Sequence, residues 1–233
     1  MLKEDLIKKS PLRVLNPLTP ETFPDHRMGL VMARAGLGKT AILVQIAMDS
    51  MLRGQKVLHV SIGEGLEKAK AWYDDIFKYI AEGFHLEDAA DTEDEIMRNR
   101  MIMTFKESAF SRPKLEERLN DLVYQNIFRP DIIVVDGFDF SSADYDSVMD
   151  LKEMMAAMNV QAWFSSLRHR EDSRVSAAGV PAPCHEVDGL FDTVIIVQPE
   201  KDTILLNIIK DEYDGAAGKI LNLDPSTMMV KEV

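Results

Sequence analysis

A chain of 233 residues, nearly half of them apolar, suits one domain with a full-sized core. A formal net charge of −12 argues against broad binding to DNA or RNA, which needs basic surface to displace counterions. The single cysteine, Cys184, excludes an internal disulfide, no apolar run is long enough to span a bilayer, and MLKEDLIKKS lacks the apolar core of a secretion signal, so a soluble cytoplasmic protein is predicted.

Residues 1–27, with Pro11, Pro17, Pro20 and Pro24, read as a short helix and an irregular lead-in, a loose surface arm before one domain at 28–233. MGLVMA (28–33) predicts a buried strand, and an almost wholly apolar helix is predicted from Lys39 to about Arg53, stopped by Gly54. Between them stands ARAGLGKT, residues 33–40. A strand, a glycine-rich turn and a Gly-Lys-Thr that opens a helix form the layout of a phosphate-binding loop. Successive N–H groups from Ala33 through Arg34, Ala35, Gly36, Leu37 and Gly38 to Lys39, Thr40 and Ala41 would wrap the phosphates of a nucleotide. Gly36 and Gly38 permit the close approach because they lack a Cβ. Lys39 supplies a point charge to the β- and γ-phosphates, and the Thr40 hydroxyl is a ligand for Mg²⁺. The pattern usually opens with Gly; Ala33 serves there if its φ stays negative.

KVLHVSI (56–62) predicts a second buried strand ending at Gly63-Glu64-Gly65. Glu64, at that tip, is a candidate for orienting the attacking water, with Glu67 a weaker rival. An amphipathic helix follows, with Leu66, Ala69, Trp72, Tyr73, Ile76, Phe77 and Ile80 on one face; the Trp72 and Tyr73 rings read as core. The acidic stretch 83–98 reads as a solvated face rather than a metal cluster, with a Thr92–Glu95 capping box opening a short helix. RMIMTF (100–105) predicts a third strand, and Pro113 opens a helix carrying Leu115, Leu119, Leu122 and Val123.

DIIVVDGFDF (131–140) holds four consecutive apolar residues ending in Asp136, which predicts a strand covered on both faces, as in a parallel sheet. A carboxylate at its tip is suited to hold Mg²⁺ opposite Thr40, with Asp139 just beyond. A helix with Val148, Leu151, Met155 and Met158 aligned follows, and then a strand, NVQAWFSS (159–166). Ser165 and Ser166 end that strand, with Arg168 and His169 after them, where a γ-phosphate can be sensed. Residues 168–190 lack periodicity and predict a long mobile loop whose start, at Arg168, Arg170 and Arg174, is basic. DTVIIVQ (192–198) and TILLNIIKD (203–211) predict paired strands, and GKILNL and TMMVKEV a last hairpin around Asp224-Pro225.

Taken together, ARAGLGKT, VLHVSIGEG, DIIVVDGFDF and IIKDEYDGAAGKILNLD resemble the RecA-like ATPase core, in the branch that holds KaiC and DnaB, from about residue 28 to the end. The resemblance implies a three-layer α/β fold, with a mostly parallel sheet flanked by helices and a C-terminal antiparallel hairpin extension. It further implies ATP and Mg²⁺ as ligands and assembly of identical subunits, often as a ring. It makes Glu64 the catalytic glutamate. The late stretch of that family reads Lys-x-Arg-x-Gly and donates cations to the nucleotide of the adjacent subunit. Here Lys210 keeps its place, but Glu212 stands where the arginine belongs, a charge reversal that predicts slow turnover. The MinD/ParA group is a weaker match: Arg34 holds its signature lysine position, and DGFDF lacks its proline. The expected function is slow Mg²⁺-dependent ATP hydrolysis driving a conformational or assembly switch, with an ATP-binding scaffold and a DNA-acting motor as alternatives; the protein partner is not specified by the sequence.

Overall fold

The computed structural model describes residues 1–15, 26–168, 171–213 and 215–231; Pro17, Pro20, Pro24, His169, Arg170 and Asp214 lie outside them. Strand composition dictates its centre. β1 (Met28–Ala33), β2 (Val57–Ile62), β3 (Arg100–Phe105), β4 (Ile132–Asp136), β5 (Gln161–Leu167) and β6 (Thr193–Glu200) run parallel. β7 (Thr203–Asp211), β8 (Ile220–Leu223) and β9 (Val230–Lys231) extend the sheet antiparallel, in the order β3-β2-β4-β5-β1-β6-β7-β8-β9. β1, β2 and most of β4 and β5 are buried without alternation, as the apolar runs predict for strands covered on both faces.

Alternation instead divides each strand between two cores. Val31, Ala33, Val57, Ile132, Val134 and Trp163 meet α1 (Lys3–Lys9), α2 (Lys39–Leu52), α3 (Leu66–Gly83) and α4 (Ala89–Met97) on one face. Leu30, Met32, Leu58, Val60, Ile133 and Val135 meet α5 (Arg112–Tyr124) and α6 (Tyr145–Met158) on the other. The result is an α/β fold of three layers. Each fully buried Val, Leu, Ile or Met contributes about 1.5–3 kcal/mol relative to exposure, which is why both faces of the sheet must be covered. Among the described residues no helix is long and apolar enough to cross a membrane.

The sheet order sets the position of the site. β1 lies between β5 and β6, and β5 separates it from β4. The carboxyl tips of β1, β2, β4 and β5 therefore share one edge, beside the strand where the chain changes its direction of progress across the sheet, the place where open α/β sheets bind ligands.

Three local expectations need correction. Residues 1–15 of the lead-in are docked rather than loose: Leu6, Leu12 and Leu15 join the core beside α2, and Arg13 forms an ion pair with Asp49 of that helix. The capping box does not open α4, which begins at Ala89 after Asp88; Thr92 lies inside the helix, buried one turn before Ile96 on the core side. Residues 171–190 are irregular, but their second half is packed. Val180, Ala182, Cys184, Val187 and Leu190 are buried, and Val175 bridges Pro181. Val180, Ala182 and Cys184 stand two apart and Val187 and Leu190 three apart, so no single period runs through the segment.

The last hairpin is fixed to α2 by one buried amide. The Gln45 side chain donates to the Met228 carbonyl at 2.7 Å and accepts from the Val230 N–H at 2.8 Å. This seats β8 and β9 beside the amino end of α2.

Candidate phosphate-binding site

The turn between β1 and α2 uses the freedom of its glycines. Gly36 and Gly38 take φ of +77° and +81°, a region that costs residues with a Cβ about 1–2 kcal/mol. Ala33 needs no such freedom: it is the last residue of β1, buried and extended, outside the positive-φ set. The turn is anchored at its ends, by Arg168 N–H to Ala33 C=O at 2.9 Å and by the first helical bond of α2, Ile42 N–H to Gly38 C=O at 3.0 Å. In between, only Leu37 N–H turns inward, toward Arg34 C=O at 3.4 Å. Among the described residues no hydrogen bond engages the N–H groups of Ala35, Gly36, Gly38, Lys39, Thr40 or Ala41. Those of Lys39, Thr40 and Ala41 are orphan donors of a helix amino end, where the helix dipole adds partial positive charge.

Lys39, Thr40, Glu64, Asp136 and Ser165 line one cleft of about 360 Å³. Thr40 Oγ1 donates to Asp136 Oδ2 at 2.6 Å. Burial pushes the Lys39 ammonium below its ordinary range, and the Asp136 carboxylate pulls it partly back. Ser165, expected as a phosphate sensor, gives its hydroxyl proton to Asp136 Oδ1 and accepts the Gly137 N–H at 3.1 Å. It fixes the carboxylate toward Thr40. Ser166 faces the other side of the sheet, where the Cys184 thiol donates to it at 3.2 Å; burial pushes that thiol up to about 12, so it is unreactive.

The remaining residues are placed less simply. Glu64 is at the cleft, but its carboxylate pairs with Lys68 at 2.6 Å on an exposed surface. Glu67 pairs with Lys70 and stays outside the cleft lining. Asp139 lines the cleft and holds its own turn through Ser141 N–H. Lys210 is not brought to the loop of its own chain. It stands opposite Val194 near the start of β6, at the far end of the sheet, bound to Glu212 at 2.9 Å and to the Asp188 carbonyl. Arg174 of the basic stretch is matched by Asp172 at 2.7 Å. Glu107, which the sequence reading passed over, also lines the cleft. Its only sequence signal is its position, two residues past the end of β3 at the same sheet edge.

The site fits a hard divalent ion that keeps several waters. Thr40 and Asp136 offer one hydroxyl and one carboxylate, and among the described residues no cluster of three or more His, Cys, Asp or Glu is placed to hold a metal by itself. Mg²⁺ is bound in this manner, through one or two protein oxygens, phosphate oxygens and water.

Beneath the cleft, His59 of β2 is buried against the Tyr73 hydroxyl at 3.1 Å. Burial pushes it down to about 4; Asp136 opposes this and Arg100 adds to it. The native state therefore keeps His59 neutral, while the unfolded chain protonates near 6.5. Stability from this group is complete above that pH and is lost as pH falls toward 4, by about 3 kcal/mol. Urea unfolding of wild type and His59→Gln should show that difference narrowing between pH 7 and pH 4; a constant difference would remove His59 as its source.

No protein-family model matches the chain, and a search of curated proteins returns no match to it.

Proposed function

We propose that the chain binds ATP with Mg²⁺ and hydrolyses it slowly, as a RecA-like ATPase of the KaiC and DnaB type. The observation that carries this reading is that, among the described residues, no hydrogen bond engages the N–H groups of Ala35, Gly36, Gly38, Lys39, Thr40 and Ala41, in the turn that delivers Lys39 and Thr40 to the cleft beside Asp136. A triphosphate supplies acceptors for those donors and negative charge for the partly desolvated ammonium. Thr40 and Asp136 would hold Mg²⁺, which offsets phosphate charge when bound. The amides fix the β- and γ-phosphates, and a carboxylate on the opposite wall orients a water. That water's oxygen forms a bond to the γ-phosphorus while the bond to the bridging oxygen breaks, leaving ADP and inorganic phosphate.

One contact favours slow turnover, or binding with little hydrolysis: Lys210 is neutralised by Glu212. A conformational readout is supported by Leu223 and Met228, whose side chains stand 3.1 and 3.2 Å from where a Cβ on Gly38 would be. A shift of Gly38 on phosphate binding would be felt by that hairpin. A DNA-acting motor is the weaker reading, since Asp172 neutralises Arg174 in the stretch that would touch DNA.

Calorimetric titration with ATP, in Mg²⁺ and in EDTA, tests the proposal. Saturable binding that weakens without Mg²⁺ is expected. No heat or competition in either condition would refute it.

A further inference from the structure

We propose that Glu107, rather than Glu64, is the carboxylate that orients the attacking water; this rests on the nucleotide reading above. Three features of the cleft wall lead to it. The first is placement. Glu107 follows β3 in a short 3-10 turn, Glu107–Ala109, and lines the cleft with Lys39, Thr40 and Asp136. It also lines an adjoining cavity of about 500 Å³ that shares Ile62, Gly137, Phe138 and Asp139 with the cleft. It therefore stands where the two spaces join, in the wall of the cleft that also holds Thr40 and Asp136.

The second is the way it is held. Gly63 N–H donates to Phe105 C=O at 2.9 Å, which ties the tip of β2 to the end of β3. The Glu107 side chain then lies across Gly63. A Cβ at position 63 would come 2.8 Å from Glu107 Oε1 and 3.1 Å from Cγ, and Gly63 has φ of +86°. The glycine thus makes the space that the exposed Glu107 side chain occupies beside the tip of β2.

The third is charge. Among the described residues the Glu107 carboxylate has no hydrogen-bond or ion-pair partner. Glu64 is held by Lys68, with the two side chains 53% and 60% exposed. Among the described residues, Glu64, Asp136 and Asp139 of the cleft each already accept a hydrogen bond, while the Glu107 oxygens are left open to a water.

Single-turnover hydrolysis with full-length protein in excess over γ-labelled ATP and Mg²⁺ decides the matter. Wild type, Glu107→Gln and Glu64→Gln are compared, with Mg²⁺–ATP affinity and thermal unfolding measured on each. Glu107→Gln is expected to bind ATP within about twofold of wild type, to melt with it, and to lose roughly 100-fold in rate, while Glu64→Gln loses less than about threefold. A wild-type rate in Glu107→Gln with ATP bound overturns the inference, as does a loss in Glu64→Gln equal to or larger than that in Glu107→Gln. Wild type that binds ATP without any turnover also overturns it and leaves the binding reading intact. Wild type that binds no ATP fails the nucleotide reading itself.

Discussion

Lys39→Ala is expected to weaken Mg²⁺–ATP binding about 100-fold while leaving the free protein as stable as wild type. The two halves of that result have different causes. In the proposed complex, Lys39 would make charge-assisted contacts with phosphate oxygens in a partly buried cleft, and such hydrogen bonds to charged groups are each worth about 1.5–3 kcal/mol. In the free protein the same ammonium is held below its ordinary range by desolvation, with Asp136 only partly offsetting it. Removing it relieves a cost and strands no partner, because Asp136 keeps Thr40 and Ser165. Calorimetric titration gives the first half and thermal unfolding without nucleotide the second. Unchanged affinity would remove Lys39 from the site, and a large fall in melting temperature would make it a structural residue.

Gly137→Ala is expected to have the largest effect on the fold, a loss of about 3 kcal/mol or more, and with it the site. Gly137 follows Asp136 at the tip of β4 with φ of +91°. A Cβ there would stand 2.3 Å from the carbonyl oxygen of Ile62, a backbone atom of β2 that has no rotamer to yield. β4 and β2 must separate at the tips, and Asp136 moves with them. Because Gly137 N–H also donates to Ser165, the displacement spreads to the hydroxyl that holds the carboxylate. In a chain of this size the melting temperature should fall by about 6–12 °C. An alanine variant that melts with wild type and binds ATP equally well would show that the close approach of the two tips is not needed.

Both effects depend on residues whose importance was legible to different degrees. The placement of Lys39 and Thr40 at the cleft could be read directly, because the turn is a local object: its glycines, its lysine and the helix it opens are consecutive in the chain. β4 was legible for the same reason, since Ile132 to Val135 form an unbroken apolar run. Glu64 was legible as a cleft residue, because it follows the apolar run of β2 directly through Gly63. Glu107 itself was not legible. It reaches the cleft only because β3 pairs with β2 in register from Val57–Arg100 to Ile62–Phe105, a pairing that no periodicity encodes. The docked lead-in escaped notice because its Leu6, Leu12 and Leu15 are too few and too irregularly spaced to signal a buried face. Thr92 misled for a related reason. A Thr followed three residues later by Glu fits a helix start, but burial of Thr92 and Ile96 against the core sets the helix one turn earlier.

The central claim is that main-chain amides of the β1–α2 turn hold the phosphates, and amide NMR reads those groups one by one. On addition of saturating Mg²⁺–ATP, the ¹H–¹⁵N resonances of Gly36, Gly38, Lys39 and Thr40 should move downfield together, with smaller changes at Gly137 beside the metal carboxylate. If ATP binds while those four resonances stay in place, the phosphates are held elsewhere and the account is wrong.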